Sequence, residues 1–261
     1  MSLLDEITPL VLTYNEEANI ERTLAALAWA KRVVVVDSHS TDGTVDRCRR
    51  YANVDVCQRP FDGHASQWNF GVTQVTSPWV LSLDADYVVP RTLVDELSTL
   101  APGETQAGFS ARFTYCVFGR PLRGFLYPPR VVLFRRDQAT YVQDGHTQRL
   151  SVTGTVGALA GRLLHDDRKS VDRWCADQRR YAAMEAQHLT ETPRDRLSRL
   201  DRVRRDTPFA PALVALYVLF VRGAILDGWR GWYYAAQRTF AELLLCLLLI
   251  DRRLRSSSSA R

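Results

Sequence analysis

The sequence predicts an α/β fold with a mixed, mostly parallel sheet, and three observations predict it. Short apolar runs alternate with helix-period segments through the first hundred residues, in the order βαβαβαβα. One run, residues 33–36, is four consecutive valines, the pattern of a strand buried on both faces of a parallel sheet. The conspicuous polar residues, Thr13 to Glu16, Asp37, and Asp84 with Asp86, each follow the carboxyl end of such a run. That is the edge at which open α/β sheets bind ligands.

Taken in order, residues 7–13 read as the first strand, and a helix with Ile20, Leu24 and Leu27 on one face follows. Asp37 ends the valine strand, and Ser38 to Thr44 supply turn and capping chemistry for a helix running to Tyr51. Residues 54–57 form a third strand, a loop over 61–66 leads into a helix to Val75, and residues 79–83 form the fourth strand. Pro90 opens a helix to Leu100, at a position where its missing N–H is harmless.

From Ala107 the pattern changes to antiparallel strands at 109–117, 131–135 and 139–142, with Pro121, Pro128 and Pro129 in the loops. This half is expected to fold over the carboxyl edge of the sheet. A strand at 150–152, a Gly-rich connection to Gly161 and a helix over 170–189 complete it. Residues 194–205 read as a basic amphipathic helix with Leu197, Leu200 and Val203 on one face. Two apolar runs, 209–221 and 240–250, each fall short of the roughly 20 residues a spanning helix needs, so no transmembrane helix is expected. They can pair as a hairpin or lie in a membrane interface, with Arg252, Arg253 and Arg255 meeting anionic headgroups. The expected organisation is a catalytic domain over 1–190 (nucleotide-binding half 1–100, acceptor half 101–190), a membrane-associating helical region over 191–255, and a disordered tail over 256–261.

Composition narrows the class. With 46% hydrophobic and 24% charged residues in 261, the chain is globular. The net charge of +5 is carried by arginine, since Lys31 and Lys169 are the only lysines. Five scattered cysteines without Cys-x-x-Cys spacing argue against a zinc site or a disulfide framework and fit a reducing compartment. No signal peptide is read at the N-terminus. The Gly-rich dinucleotide motif, the P-loop and the hydrolase elbow are all missing from the sequence, and nothing indicates a nucleic-acid partner.

The strand-end residues suit a nucleotide-sugar. Asp84 and Asp86, one residue apart at a strand end, converge as oxygen ligands for Mg²⁺ or Mn²⁺ against a diphosphate. Asp37 can accept a uracil imide N–H, and Thr13, Tyr14, Asn15, Glu16, Ser38 and Ala85 lie where a base, ribose and phosphate would sit. Gln67 and Asn69 can line the same pocket, and His165 can complete the metal shell. Asp144 is the candidate general base for the acceptor hydroxyl. Structural alternatives stand beside several of these: a helix cap for Asn15, a turn former for Asp37, an Asp-Gly turn for Asp144, and a helix-start or core histidine for His165.

Thr13-Tyr14-Asn15-Glu16-Glu17, Val36 to Thr44, Gln67-x-Asn69 and Leu83-Asp84-Ala85-Asp86 together resemble family 2 glycosyltransferases of the GT-A (nucleotide-diphospho-sugar transferase) fold, across residues 7–100. Arg222 to Gly228 resembles the C-terminal segment of the lipopolysaccharide-core β-1,4-glucosyltransferase subgroup. The resemblance implies inverting transfer from a UDP-sugar, a base-binding role for Asp37, and nucleotide and metal binding by Asp84 and Asp86. Taken with the C-terminal helical region, the expectation is a lipid-linked or lipopolysaccharide-type glycan acceptor and a cytoplasmic protein held peripherally at the inner membrane face by that region. Two departures are visible: Trp68 stands where the subgroup often has Lys, and Asp144 to Gln148 stands where it commonly has a His-Glu pair. The rival readings are a nucleotidyltransferase, disfavoured by the acidic loop after the first strand, and a non-catalytic membrane-binding module using residues 194–255.

Overall fold

The computed structural model describes residues 2–144 and 147–258, with side chains described within 2–143 and 148–255. By internal contacts the chain divides into two units: Met1–Pro121 with Tyr127–Lys169, and Leu122–Leu126 with Ser170–Arg261. The division at Lys169 differs from the expected boundary at 190, because the helix after Ser170 packs within the second unit.

In the first unit the four apolar runs form parallel strands β1 (Ile7–Thr13), β2 (Val33–Asp37), β3 (Val54–Gln58) and β4 (Trp79–Asp84). Val33 to Val36 are fully buried. Each contributes roughly 1.5–3 kcal/mol by leaving water. Register aligns the strand ends, with Thr13 beside Asp37 and Leu12 beside Asp84. Helices α1 (Ile20–Ala25), α2 (Thr44–Cys48), α3 (His64–Gln74) and α4 (Arg91–Thr99) make the connections.

The second half does not fold over the sheet; it extends it. Strands β5 (Tyr87–Val88), β6 (Gln106–Val117), β8 (Arg130–Arg135) and β11 (Thr155–His165) join in the order β3-β2-β1-β4-β8-β6-β11-β5, and β7 (Arg120–Pro121) pairs with β6. β8 is antiparallel to β4 and β6, so β6 and β11 point the same way as β4 and bring Tyr115 and His165 to its carboxyl edge. The Gly-rich connection is therefore a strand. Its register shift between Ala158 and Arg162 is held by Glu96, whose two carboxylate oxygens accept from Ala160 N and Gly161 N at 2.7 Å each.

A separate hairpin, β9 (Ala139–Asp144) and β10 (Thr147–Val152), lies on α3. Trp68 and Tyr141 are both buried, with their rings stacked 5.2 Å apart at 19°. Asn69 completes the attachment: its Nδ2 donates to Tyr141 O at 2.8 Å, and its Oδ1 accepts from Tyr141 N at 2.9 Å.

The second unit is helical: α5 (Val171–Glu191), α6 (Arg199–Asp206), α7 (Ala210–Leu216) continued by a π-helical turn to Val221, and α8 (Trp229–Ser258). Ala182, Ala186 and Leu189 of α5 pack on Leu245 and Leu249 of α8. The basic helix is shorter than expected and its face differs. Leu197 is buried but Leu200 and Val203 are exposed, while Arg204 turns inward to Glu185 (2.7 Å) and to both oxygens of the buried Glu242 (3.1 Å each). The second apolar run begins eleven residues earlier than read, and its helix continues to Ser258 where a disordered tail was expected. As a result Trp229–Arg255 is long and apolar enough to cross a membrane by length and composition, so the run is longer than the sequence reading gave it.

Leu122–Leu126 is anchored on the turn before α8. Asp227 Oδ2 accepts from Arg123 N and Gly124 N, Tyr234 Oη accepts from Leu126 N, and Arg222 Nε donates to Phe125 O. Gly124 and Gly231 both meet Ala224. A Cβ on Gly124 would stand 2.3 Å from Ala224 N, and one on Gly231 1.7 Å from Ala224 O, so neither position admits a side chain.

Candidate active site

The carboxyl edge of the first unit gathers most of the residues singled out in the sequence, each held by a local reason. Asn15 sits in the left-handed region (φ 54°), which Asn tolerates. Its N donates to Ser40 Oγ and its Oδ1 accepts from Thr41 N. Glu16 N donates to Thr44 Oγ1. The loops after β1 and β2 are thereby joined through the side chains of the Ser-His-Ser-Thr-Asp-Gly-Thr segment. Tyr14 is exposed beside them.

Asp37 is 0% exposed and its carboxylate is fully occupied. Oδ1 accepts from Thr13 Oγ1 (3.0 Å) and Ser40 Oγ (2.5 Å); Oδ2 accepts from Ser40 N (2.9 Å) and Gln58 Nε2 (3.1 Å). The expected free acceptor for a base imide is thus an anchor of the two loops, and a base N–H would have to displace one of four donors. Gln67 is likewise buried, accepting from Arg59 Nη1 and donating to Ser38 Oγ and Arg59 O. Asn69 uses its amide on the β9 backbone. Gln67 and Asn69 support the edge rather than line an open pocket, because their hydrogen-bonding groups are already engaged.

The other carboxylates form a second cluster. Asp86 Oδ2 lies 3.1 Å from His165 Nε2. The His165 ring is enclosed by Tyr87, Tyr115 and Tyr127, with centroids at 5.4, 4.7 and 4.8 Å. The Tyr87 and Tyr127 hydroxyls hydrogen-bond to each other, and Arg130 stacks over Tyr127 at 5.1 Å. His165 Nδ1 is buried with no hydrogen-bond partner among the described residues. Ala85 is buried between the two aspartates, its carbonyl accepting from Thr23 Oγ1.

Burial alone would raise the Asp86 pKa, but the His165 charge and hydrogen bond, with Lys169 beyond, bring it to about 2. Burial works against the imidazolium of His165, yet Asp86 outweighs it and holds the ring above its ordinary value.

Reading the sequence missed Lys169, Asn19, Asp166 and Asp167. Lys169 Nζ is 2.7 Å from Glu16 Oε1 and 3.7 Å from Asp167 Oδ2. Asn19 Nδ2 bridges Glu16 Oε2 and Asp167 Oδ1, both at 2.9 Å. The buried Asp166 accepts from Gly119 N and Arg168 Nε. Burial pushes Glu16 up to about 7, with Lys169 opposing and Asp86 adding to the rise. Burial disfavours the Lys169 ammonium, but Glu16, Asp86 and Asp167 together hold it charged, so Glu16 is the member that titrates. One signal was available: Lys169 is one of two lysines among 34 basic residues, at a place where arginine fills nearly every other basic role. Asp144 closes β9, but its side chain lies outside the described residues, as do Gly145 and His146.

The donor chemistry suits a divalent cation. Asp86 and His165 offer an oxygen and a nitrogen donor of the kinds a divalent cation accepts, and in the metal-free protein they are hydrogen-bonded to each other at 3.1 Å. Among the described residues no three His, Cys, Asp or Glu side chains group tightly enough to enclose an ion by themselves. The remaining positions suit phosphate and water oxygens, the usual arrangement for Mg²⁺.

This mixed, mostly parallel sheet, with its acidic residues gathered at the carboxyl edge, is the GT-A fold. Residues 10–138 match the family model described as Glycosyl transferase family 2, so this stretch is a family 2 glycosyltransferase domain. Among relatives, the lipopolysaccharide core biosynthesis glycosyltransferase LpsC of Rhizobium meliloti (strain 1021) is 27% identical over 246 residues, covering 88% of this chain and 86% of its own. An uncharacterized glycosyltransferase of Rickettsia bellii (strain RML369-C) is 33% identical over 110 residues, 42% of this chain and 37% of that one. The crystal structure of S. aureus TarS 1-349 shares the fold with a TM-score of 0.50 at 16% identity, covering 95% of this chain and 91% of that one.

Proposed function

We propose that this glycosyltransferase moves a hexose, with inversion, from a UDP-sugar to a lipid-linked or lipopolysaccharide-type glycan at the cytoplasmic face of the membrane. The observation that carries the donor site is the meeting of Asp86 and His165, distant in sequence, at the strand edge that also bears Asp84. The acceptor class rests on the likeness to LpsC, a lipopolysaccharide core biosynthesis glycosyltransferase.

Asp84, Asp86 and His165 would hold Mg²⁺ or Mn²⁺. Bound there, the ion would stabilise the charge that develops on the departing diphosphate. The loops joined through Asn15, Ser38, Ser40 and Asp37 would hold the nucleoside, with Tyr14 beside them. Lys169, kept charged by Glu16 and Asp167, adds a fixed positive charge near Asp86 that favours an anionic donor. The tyrosines around His165 exclude water from one side of the site. Asp144 is the candidate that takes the acceptor proton as the sugar carbon is attacked.

Calorimetric titration with UDP, with and without Mn²⁺, tests the reading. Metal-dependent binding that vanishes in Asp86→Ala, with an unchanged melting profile, is the expected result. Retained metal-dependent transfer in Asp86→Ala would remove Asp86 from the site, and no nucleotide binding at all would remove the proposal.

A further inference from the structure

The second unit carries an inverted surface. From Pro208 to Ile250 every exposed residue is apolar apart from Arg222 and Gly228. The polar residues of that stretch are instead half-buried or buried, Glu242 most deeply, with its carboxylate on Arg204. A surface helix of a water-soluble protein shows the opposite arrangement. Leu216 and Phe220 at the end of α7, Trp229 and Trp232 at the start of α8, and Leu243 and Leu247 further along it are all half or nearly half exposed, or more. The two helices pack together, so the exposed positions belong to one hairpin.

We infer that this hairpin lies in the plane of an anionic lipid surface, with its apolar face in the headgroup–acyl boundary, and does not cross the bilayer. Three observations select that occupant and that orientation. The second unit holds 17 arginines against 10 acidic residues, a net +7, whereas the whole chain is +5. Such a charge attracts anionic headgroups and opposes association with a second copy of the unit. Two tryptophans and Tyr217 lie on the exposed face, side chains that favour the membrane–water boundary. Finally, α5 packs along α8 through Ala182, Ala186 and Leu189 while exposing Arg179, Arg180 and Glu191. A spanning α8 would carry those charges into hydrocarbon. An in-plane α8 leaves them in water.

This extends the reading of a lipid-linked acceptor, and the test lets the two fail separately. The full chain is sedimented with phosphatidylcholine vesicles, with and without phosphatidylglycerol, and UDP titration is run on the same samples. Binding should require phosphatidylglycerol, weaken with salt and be released by alkaline carbonate. Phe220→Ser with Leu247→Ser should weaken it at least about tenfold, and Leu216→Ser with Leu243→Ser should do the same. Phe61→Ser, an exposed change in the first unit, should leave it intact. Unchanged melting and UDP binding in the paired variants show that the fold survives. Absent vesicle binding, or binding indifferent to both pairs, overturns the inference while leaving the donor site standing. Retention through carbonate overturns the in-plane arrangement in favour of a span. Self-association abolished by the same pairs, without vesicle binding, assigns the face to a second copy. Vesicle binding without any UDP affinity supports this inference and removes the donor-site proposal.

Discussion

Asp86 Oδ2 and His165 Nε2 stand 3.1 Å apart although the residues are 79 positions apart in sequence. The pairing requires β11 to run parallel to β6 and to end beside β5, so this contact reports on the whole far side of the sheet.

The pair gives the metal-free protein a pH signature. The Asp86 pKa falls from 3.8 to about 2 on folding, so its stabilisation is complete above 3.8 and is lost as pH falls toward 2. The His165 pKa is raised above 6.5, so its stabilisation is complete below 6.5 and is lost as pH rises through the higher folded value. The melting-temperature difference between wild type and His165→Gln, measured in chelator, should be flat between these limits and shrink on both sides. A difference that grows above pH 6.5 would contradict the assignment.

Asn69 holds the hairpin that bears Asp144. Replacing it with Ala removes both hydrogen bonds to the Tyr141 backbone. The expected loss is about 2 kcal/mol by denaturant titration. If Asp144 acts as the base, kcat should fall with little change in KM for the donor, because the hairpin carries the acceptor chemistry and not the nucleotide loops. An equal effect on UDP affinity would place Asn69 in the donor site instead.

Trp68→Lys, which restores the residue common in the related subgroup, should not restore a phosphate contact here. Trp68 is buried on Tyr141, so a lysine would lose that packing and bury a charge. A destabilisation of about 3–5 kcal/mol is expected, with UDP affinity in Mn²⁺ no tighter than wild type. Tighter binding would show that position 68 faces the diphosphate.

Arg204→Met should cost more than Glu242→Gln. The arginine serves Glu185 and Glu242 together, and its loss removes one ion pair from each of the two carboxylates. About 3–5 kcal/mol is expected for Arg204→Met, read as a lowered melting temperature. The double variant Arg204→Met with Glu242→Leu should recover part of it. No recovery would argue that the arginine acts through its packing.

The first hundred residues were legible because each parallel strand, buried on both faces, is written as one apolar run ending in a polar residue. The far side was not. β11 contains Gly157 and Gly161 and is held by Glu96, 64 and 65 positions from its two partners, so no local pattern announces it. Asp37 and Asn69 were recognised as important by type and place, but which partners occupy them depends on Gln58 and Tyr141, on neighbouring strands. The start of α8 was missed because Arg230, Gln237 and Arg238 break the apolar run that a reader of sequence follows. Those residues are sheltered, and the apolar ones face outward.

The anchoring of Leu122–Leu126 has a consequence for synthesis. Its partners Asp227 and Tyr234 lie 103 to 108 residues downstream. At roughly 5–20 residues per second, the segment leaves the ribosome about 5–20 s before they exist. A ribosome stalled after Leu126 has emerged and before Tyr234 is made therefore displays Leu122 and Phe125, both buried in the finished protein, to whatever chaperone waits at the exit tunnel.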